Sequence, residues 1–205
     1  MKSFLFILII MGLYFTGVLE IDRCLVHAED ILFTDDFEKK EIGLKNWRSD
    51  MEISPYWKIK KIKGNRVLSG KGHAFIDTGD NDWTDYILKI EVKRRAGTFQ
   101  IGFRISENGR YYIGFDENKD LLYLRKNKPR GKNFDLVEKD VQIDQNQWCT
   151  LKIAIQGDNI KVFVDEELKI AYTDTDSLLY GCISLISLDG SKVYFDNVRI
   201  ESLVN

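Results

Sequence analysis

The sequence predicts an all-β protein built as a two-sheet antiparallel sandwich. Three observations carry that expectation: a long series of period-two apolar patterns, turn chemistry between them, and acidic–aromatic strings at both ends of the series. No segment shows a 3.6-residue apolar repeat long enough for a helix. One domain is expected, because the chain carries no internal repeat, low-complexity tract or linker.

The end strings are Asp35-Asp36-Phe37-Glu38 and Phe195-Asp196-Asn197-Val198. Each sets carboxylates beside an aromatic at a strand edge, which predicts first and last strands lying side by side. Alternation or Val/Ile/Tyr/Phe enrichment marks strands over residues 86–93, 98–105, 111–115, 121–125, 150–155, 161–164, 168–173, 182–188 and 192–201. Asn108-Gly109, Gly157-Asp158-Asn159 and Asp189-Gly190 tolerate positive φ and read as turns, with further tight connections at 116–120 and 165–166. Residues 58–63 carry four lysines, which suits a basic membrane-binding helix or, equally, an edge strand blunted by solvated lysines. Residues 125–132 place five basic side chains around Pro129 and read as a solvated loop, with an anionic glycan contact as the alternative.

Residues 1–28 are expected to stand outside the fold as a signal peptide, with residues 29–205 forming the sandwich. Lys2 supplies a positive start, Phe4 to Leu19 is apolar but short of the ~20 residues that span a bilayer, and Val26-His27-Ala28 suits signal peptidase. A cleaved signal is favoured over a retained anchor, which predicts a secreted or extracytoplasmic protein. Charge balance survives removal: Lys2 and Arg23 leave with Glu20 and Asp22, so the net charge stays at −2. A nucleic-acid partner, which wants a marked basic excess, is not expected. Cys149 and Cys182 permit one disulfide or two separate buried thiols.

Order and spacing then point to a family. Asp35-Asp36-Phe37-Glu38 followed by Trp47, the run 82–93, the run 101–115, a tryptophan-led strand at 148–155, and the runs 159–168 and 193–200 together resemble the concanavalin A-like (laminin-G-like) jelly-roll domains. Within these the chain resembles the family 66 carbohydrate-binding modules and, equally, the 3-keto-disaccharide hydrolase domain. The resemblance covers nearly all of residues 29–205 and implies a jelly-roll sandwich. It leaves function to the site, because that fold hosts lectins, glycan hydrolases and interaction modules.

The resemblance also implies a structural calcium between the chain ends, carried by Asp36, Glu38 and Asp196 with Asp35 as substitute; the alternative is acids that bond to turns or face water. For a carbohydrate partner, alternation nominates one sheet face: a floor made by Gly102 and Gly114, flanked by Arg104, Tyr112, Asp116 and Arg125. Trp83 and Trp57 would stack at the rim. An aromatic ring packs on the apolar face of a sugar, while Arg and Asp bond to hydroxyl pairs.

No catalytic signature accompanies this face. The chain lacks the alternating E-x-D-x-E string of jelly-roll glucanases, a nucleophile elbow and a His or Cys metal pair. His73 reads as a turn residue, and Asp165-Glu166-Glu167 as a hairpin turn. The expected function is an exported lectin-like module that binds a glycan without cleaving it. The alternatives are a hydrolase or lyase of 3-keto-disaccharides, with Asp116 and Arg104 or a divalent ion in the chemistry, and a laminin-G-like protein-interaction module.

Overall fold

Period-two burial governs most of the strands that the alternation predicts, Tyr86–Ala96 and Trp148–Gln156 most plainly. In a computed structural model describing residues 28–39, 43–49 and 56–203, there are fourteen strands and, among the described residues, no helix. The expected signal or anchor segment, as far as residue 27, lies outside the described residues. The strands are β1 (Ala28–Asp35), β2 (Trp57–Ile62), β3 (Asn65–Lys71), β4 (Ala74–Thr78), β5 (Tyr86–Ala96), β6 (Phe99–Ser106) and β7 (Gly109–Asp116). They continue with β8 (Leu121–Lys128), β9 (Lys132–Asp140), β10 (Trp148–Gln156), β11 (Asn159–Val164), β12 (Glu167–Thr173), β13 (Cys182–Ser187) and β14 (Lys192–Leu203).

Two antiparallel sheets face each other. One has eight strands, in the order β12-β11-β10-β5-β14-β3-β2 with β1 also on β14; the other has six, in the order β4-β13-β6-β7-β8-β9. Inward side chains of both sheets meet in one core, where Phe99, Phe103, Phe115 and Phe195 join Leu88, Ile90, Ile113 and Leu185. Phe99 stacks near Phe115 at 6.3 Å and meets Phe195 edge-on across the two sheets at 6.5 Å.

The first and last strands do lie side by side, with Asp35 opposite Val198. β14 pairs with β5 along one edge and divides its other edge between β3 (Lys192–Phe195) and β1 (Val198–Leu203). A bulge at Asp196 and Asn197, where Asn197 takes φ 48°, bends the strand between those two partners.

The basic run at 125–132 is a solvated turn only over residues 129–131. Its first half is the end of β8, and Lys126 lies buried, 2.6 Å from the buried carboxylate of Asp174. That acid also accepts from the Tyr111 hydroxyl at 2.6 Å, closing one end of the sandwich. The 58–63 segment is strand β2, at a sheet edge, and not a helix.

Candidate functional site

The outward face of the six-stranded sheet carries most of the residues that alternation nominates. Register sets two neighbouring rows across it. One reads Asp77, Ser184, Gly102, Tyr112, Arg125 and Asp135; the next reads Phe75, Ile186, Gln100, Gly114, Tyr123 and Glu138. Gly114 is required here: a Cβ would stand 2.2 Å from the Tyr123 hydroxyl, so only a glycine lets that ring lie across β7. The Gln100 amide donates to the Tyr123 hydroxyl at 2.9 Å, and Tyr112 meets the ring edge-on at 6.3 Å.

Arg125 completes the group. Its guanidinium lies 4.2 Å from the Tyr123 ring centroid and pairs with Asp135 and, at 3.6 Å, with Glu138. Tyr123 is therefore buried, and burial raises its phenol above the ordinary range against the opposing pull of Gln100 and Arg125. Tyr112, Arg125 and Gln100 remain half-buried, each presenting a part to solvent. Asp116 is also half-buried at the far end of β7, where its Oδ1 accepts from the Asn118 amide at 3.0 Å. A ring edge, a planar cation, an amide and a carboxylate on one floor can recognise a polyol, whose hydroxyls pair with the polar groups while its C–H face rests on the ring.

Arg104 is corrected: it does not flank this floor. It is 1% exposed, with φ 47°, at a bulge that breaks the β6 registers with both β7 and β13. The bulge turns the side chain out of the alternation that would have set it beside Gly102. Its guanidinium donates to the carbonyls of Thr84, Gly157 and Leu178 and to the Asp85 carboxylate at 3.0 Å. Trp83 is corrected as well. It is buried against Gly79, where a Cβ would lie 2.2 Å from its ring, and meets Tyr86 edge-on at 6.2 Å. Trp57 is buried in the same way against Gly70 and Phe195.

Gln100, Asp135 and Glu138 were not singled out from sequence. Gln100 was within reach, two residues before Gly102 on the same alternating strand. The two acids sit on β9, whose polar composition hides a strand.

At the seam of the chain ends, the acids are largely occupied by turn and strand hydrogen bonds. Asp35 accepts from the Phe37 amide at 2.9 Å and from the Trp47 indole at 2.9 Å, fixing a corner in which Trp47 stacks on Phe37. Asp36 accepts from the Glu38 amide, and Glu38 from the Arg66 amide. Asp196 is buried, and accepts from the Asn65 amide at 2.6 Å and from the Asn197 backbone at 2.8 Å. Burial raises the Asp196 carboxyl, Asn65 and Asn197 oppose the rise, and the charges of Glu91 and Glu38 add to it. Among the described residues, no three His, Cys, Asp or Glu side chains converge.

Cys149 and Cys182 are separate buried thiols on different sheets. Burial pushes the Cys149 thiol up to about 12 and raises that of Cys182, so neither is a ready nucleophile.

Comparison with known proteins fits this architecture. The model of the 3-keto-alpha-glucoside-1,2-lyase-like domain matches residues 33–201. The chain belongs to that family. Among solved structures it is similar to the carbohydrate-binding module CBM66 from Bacillus subtilis, at 22% identity and TM-score 0.62, covering 77% of this chain and 96% of that one. A galectin-like protein of unknown function from Bacillus subtilis matches at 10% identity and TM-score 0.68, covering 85% and 97%. Domain 4 of AbnA, a GH43 extracellular arabinanase from Geobacillus stearothermophilus in complex with arabinotriose, matches at 15% identity and TM-score 0.62, covering 84% and 92%. No curated protein sequence matches the chain significantly. The fold is thus the concanavalin A-like jelly-roll sandwich.

Proposed function

We propose that the outward face of the six-stranded sheet binds a glycan and holds it without cleaving it, outside the cytoplasm. The observation that carries this reading is the group of Tyr112, Tyr123 and Arg125, which the glycine at 114 allows to assemble on one sheet face. Similar structures include a carbohydrate-binding module and an arabinanase domain in complex with arabinotriose, which supports the same class of ligand. Incubation with a panel of oligosaccharides and keto-disaccharides, followed by mass spectrometry of bound and free sugar, tests it. Intact sugar is expected to stay with the protein. Tyr112→Ala is expected to weaken binding by about tenfold, the equivalent of about 1.4 kcal/mol, at unchanged Tm. Retention of full affinity by Tyr112→Ala would remove the face from consideration.

A second reading is favoured by the family match, whose description names a lyase. A keto group acidifies the neighbouring C–H, and a base can take that proton while the C–H electron pair forms a C=C bond and the glycosidic oxygen departs. Arg104 cannot stabilise such a step from inside the sandwich. Asp116 is the expected carboxylate that reaches the open face. Accumulation of cleaved product over many turnovers, lost in Asp116→Asn, would replace the binding reading with this one.

Calcium at the seam of β1 and β14 is likewise proposed. Of the expected acids Asp36, Glu38 and Asp196, Asp36 is held by the Glu38 amide. Glu38 and Asp196 would bind the ion, with backbone carbonyls completing the shell. The support is that the buried Asp196 carboxylate sits at the bulge where β14 passes from β3 to β1, with the Glu38 charge acting on it. Adding calcium at about 100 times its Kd to chelator-treated protein would then stabilise the fold by about 2.7 kcal/mol, and Asp196→Asn would abolish the gain. An unchanged Tm over millimolar calcium rejects the ion.

A further inference from the structure

The outer face of the eight-stranded sheet is built differently in its two halves. Toward β10–β12 most of its cations are paired: Lys89 and Lys152 share Glu166, Lys169 meets Glu167, and Arg199 meets Glu201, leaving Lys161 as the cation there without a described carboxylate partner. The other half carries Lys58, Lys60, Lys71, Lys93, Arg95 and Lys192, none of which forms an ion pair with a described carboxylate. Register places them together. Lys58, Ser69, Tyr194, Lys93 and Trp148 form one row from β2 to β10, and Lys71 stands opposite Lys192.

Aromatic rings organise these cations. The Lys60 ammonium and the Arg95 guanidinium both lie over the Tyr194 ring, at 5.9 and 5.8 Å, and cover it to 7% exposure. Lys93 lies 5.8 Å over the exposed Trp148 ring. Attraction to the ring faces holds these charged heads at fixed places. Lysines on β2 could be read as blunting a sheet edge. That reading does not extend to Lys71, Lys93 and Lys192, because β3, β5 and β14 are interior strands. Six like charges gathered on a chain of net charge −2 repel one another, and an anionic partner removes the repulsion.

We propose that this half-face docks an anionic polysaccharide carrying uronate carboxylates. The row from β2 to β10 crosses four strand spacings, roughly 19 Å, which suits a polymer rather than a single anion. A bilayer is the less suitable occupant: a membrane-docking surface sets apolar side chains among its cations. Here Ile31, Phe134, Leu168 and Leu179, all exposed, lie on other elements, and Trp148 alone borders the patch. The proposal is independent of the glycan face on the opposite sheet, so one protein would bridge two ligands.

Affinity electrophoresis of the full-length chain in polygalacturonate, with dextran as the neutral control, tests it. Retardation is expected in polygalacturonate alone and should fade toward about 1 M salt, where the Debye length falls to roughly 3 Å. The triple variant Lys58→Gln/Lys71→Gln/Lys192→Gln should bind about tenfold more weakly at unchanged Tm, while Tyr112→Ala binds as the parent does. Equal retardation of the triple variant overturns the proposal. So does capture by phosphatidylglycerol vesicles without retardation in polygalacturonate. Loss of polygalacturonate binding in Tyr112→Ala would also overturn it, by moving the polyanion to the other face.

Discussion

Arg104→Met is expected to cost about 3–5 kcal/mol of stability while leaving the glycan affinity of the folded protein unchanged. The guanidinium is tied to three carbonyls and to Asp85, which in turn accepts from the Gly157 amide at 2.9 Å. These contacts join β6 to the segment before β5, the β10–β11 turn and the segment before β13. Methionine fills the volume but leaves three acceptors and a carboxylate without their donor. For a domain of this size the loss lowers Tm by on the order of 10 °C. Lysine should not rescue it, because one ammonium cannot reproduce the planar fork that reaches four acceptors. Thermal unfolding and glycan titration together check the prediction. A Tm close to the parent's, combined with lost glycan binding, would return Arg104 to the ligand.

Lys126→Met should be comparably costly at neutral pH, about 3–5 kcal/mol, and should create a gain in stability toward mild acid that the parent lacks. Burial by itself raises the Asp174 carboxyl, but the Lys126 ammonium and the Tyr111 hydroxyl outweigh it and hold the carboxyl below its ordinary range. A depressed folded-state pKa contributes stability that is present above the unfolded value, about 3.9, and lost as pH falls through the folded one. The parent should therefore weaken only in strong acid. Without Lys126 the buried carboxylate is uncompensated and its pKa rises, so the variant should gain stability between pH 7 and pH 5. Removing both charges in Lys126→Met/Asp174→Leu should recover most of the loss. Urea titrations at the two pH values measure all three. A Lys126→Met protein as stable as the parent at pH 7 would show that the pair contributes nothing.

The strands that were legible are those with one buried face. β5, β7 and β10 alternate over a common core, and each appears in the apolar pattern. β3, β4 and β9 were not legible. β3 buries Val67, Leu68, Ser69 and Gly70 in succession, while β9 is almost wholly exposed at its sheet edge, so neither shows period two. β4 is too short to show it strongly. Of the nominated glycan-face residues, Tyr112, Asp116 and Arg125 reach the open surface, whereas Arg104 and Trp83 do not.

What the sequence by itself determined is the class of fold, the pairing of first and last strands, and the face on which Gly102, Gly114, Tyr112 and Arg125 meet. Each follows from local rules: the two-residue period, turn chemistry, and the absence of a Cβ where a ring must cross. What only the tertiary structure decided is which polar side chains leave that face. A single-residue bulge redirects Arg104 into the sandwich, and pairing with Asp174 draws Lys126 out of an apparent basic loop. Only assembly of the eight-stranded sheet brings the lysines of β2, β3, β5 and β14 onto one surface. Such outcomes depend on charges and carbonyls distant in sequence, whose attraction exists only after the chain has closed.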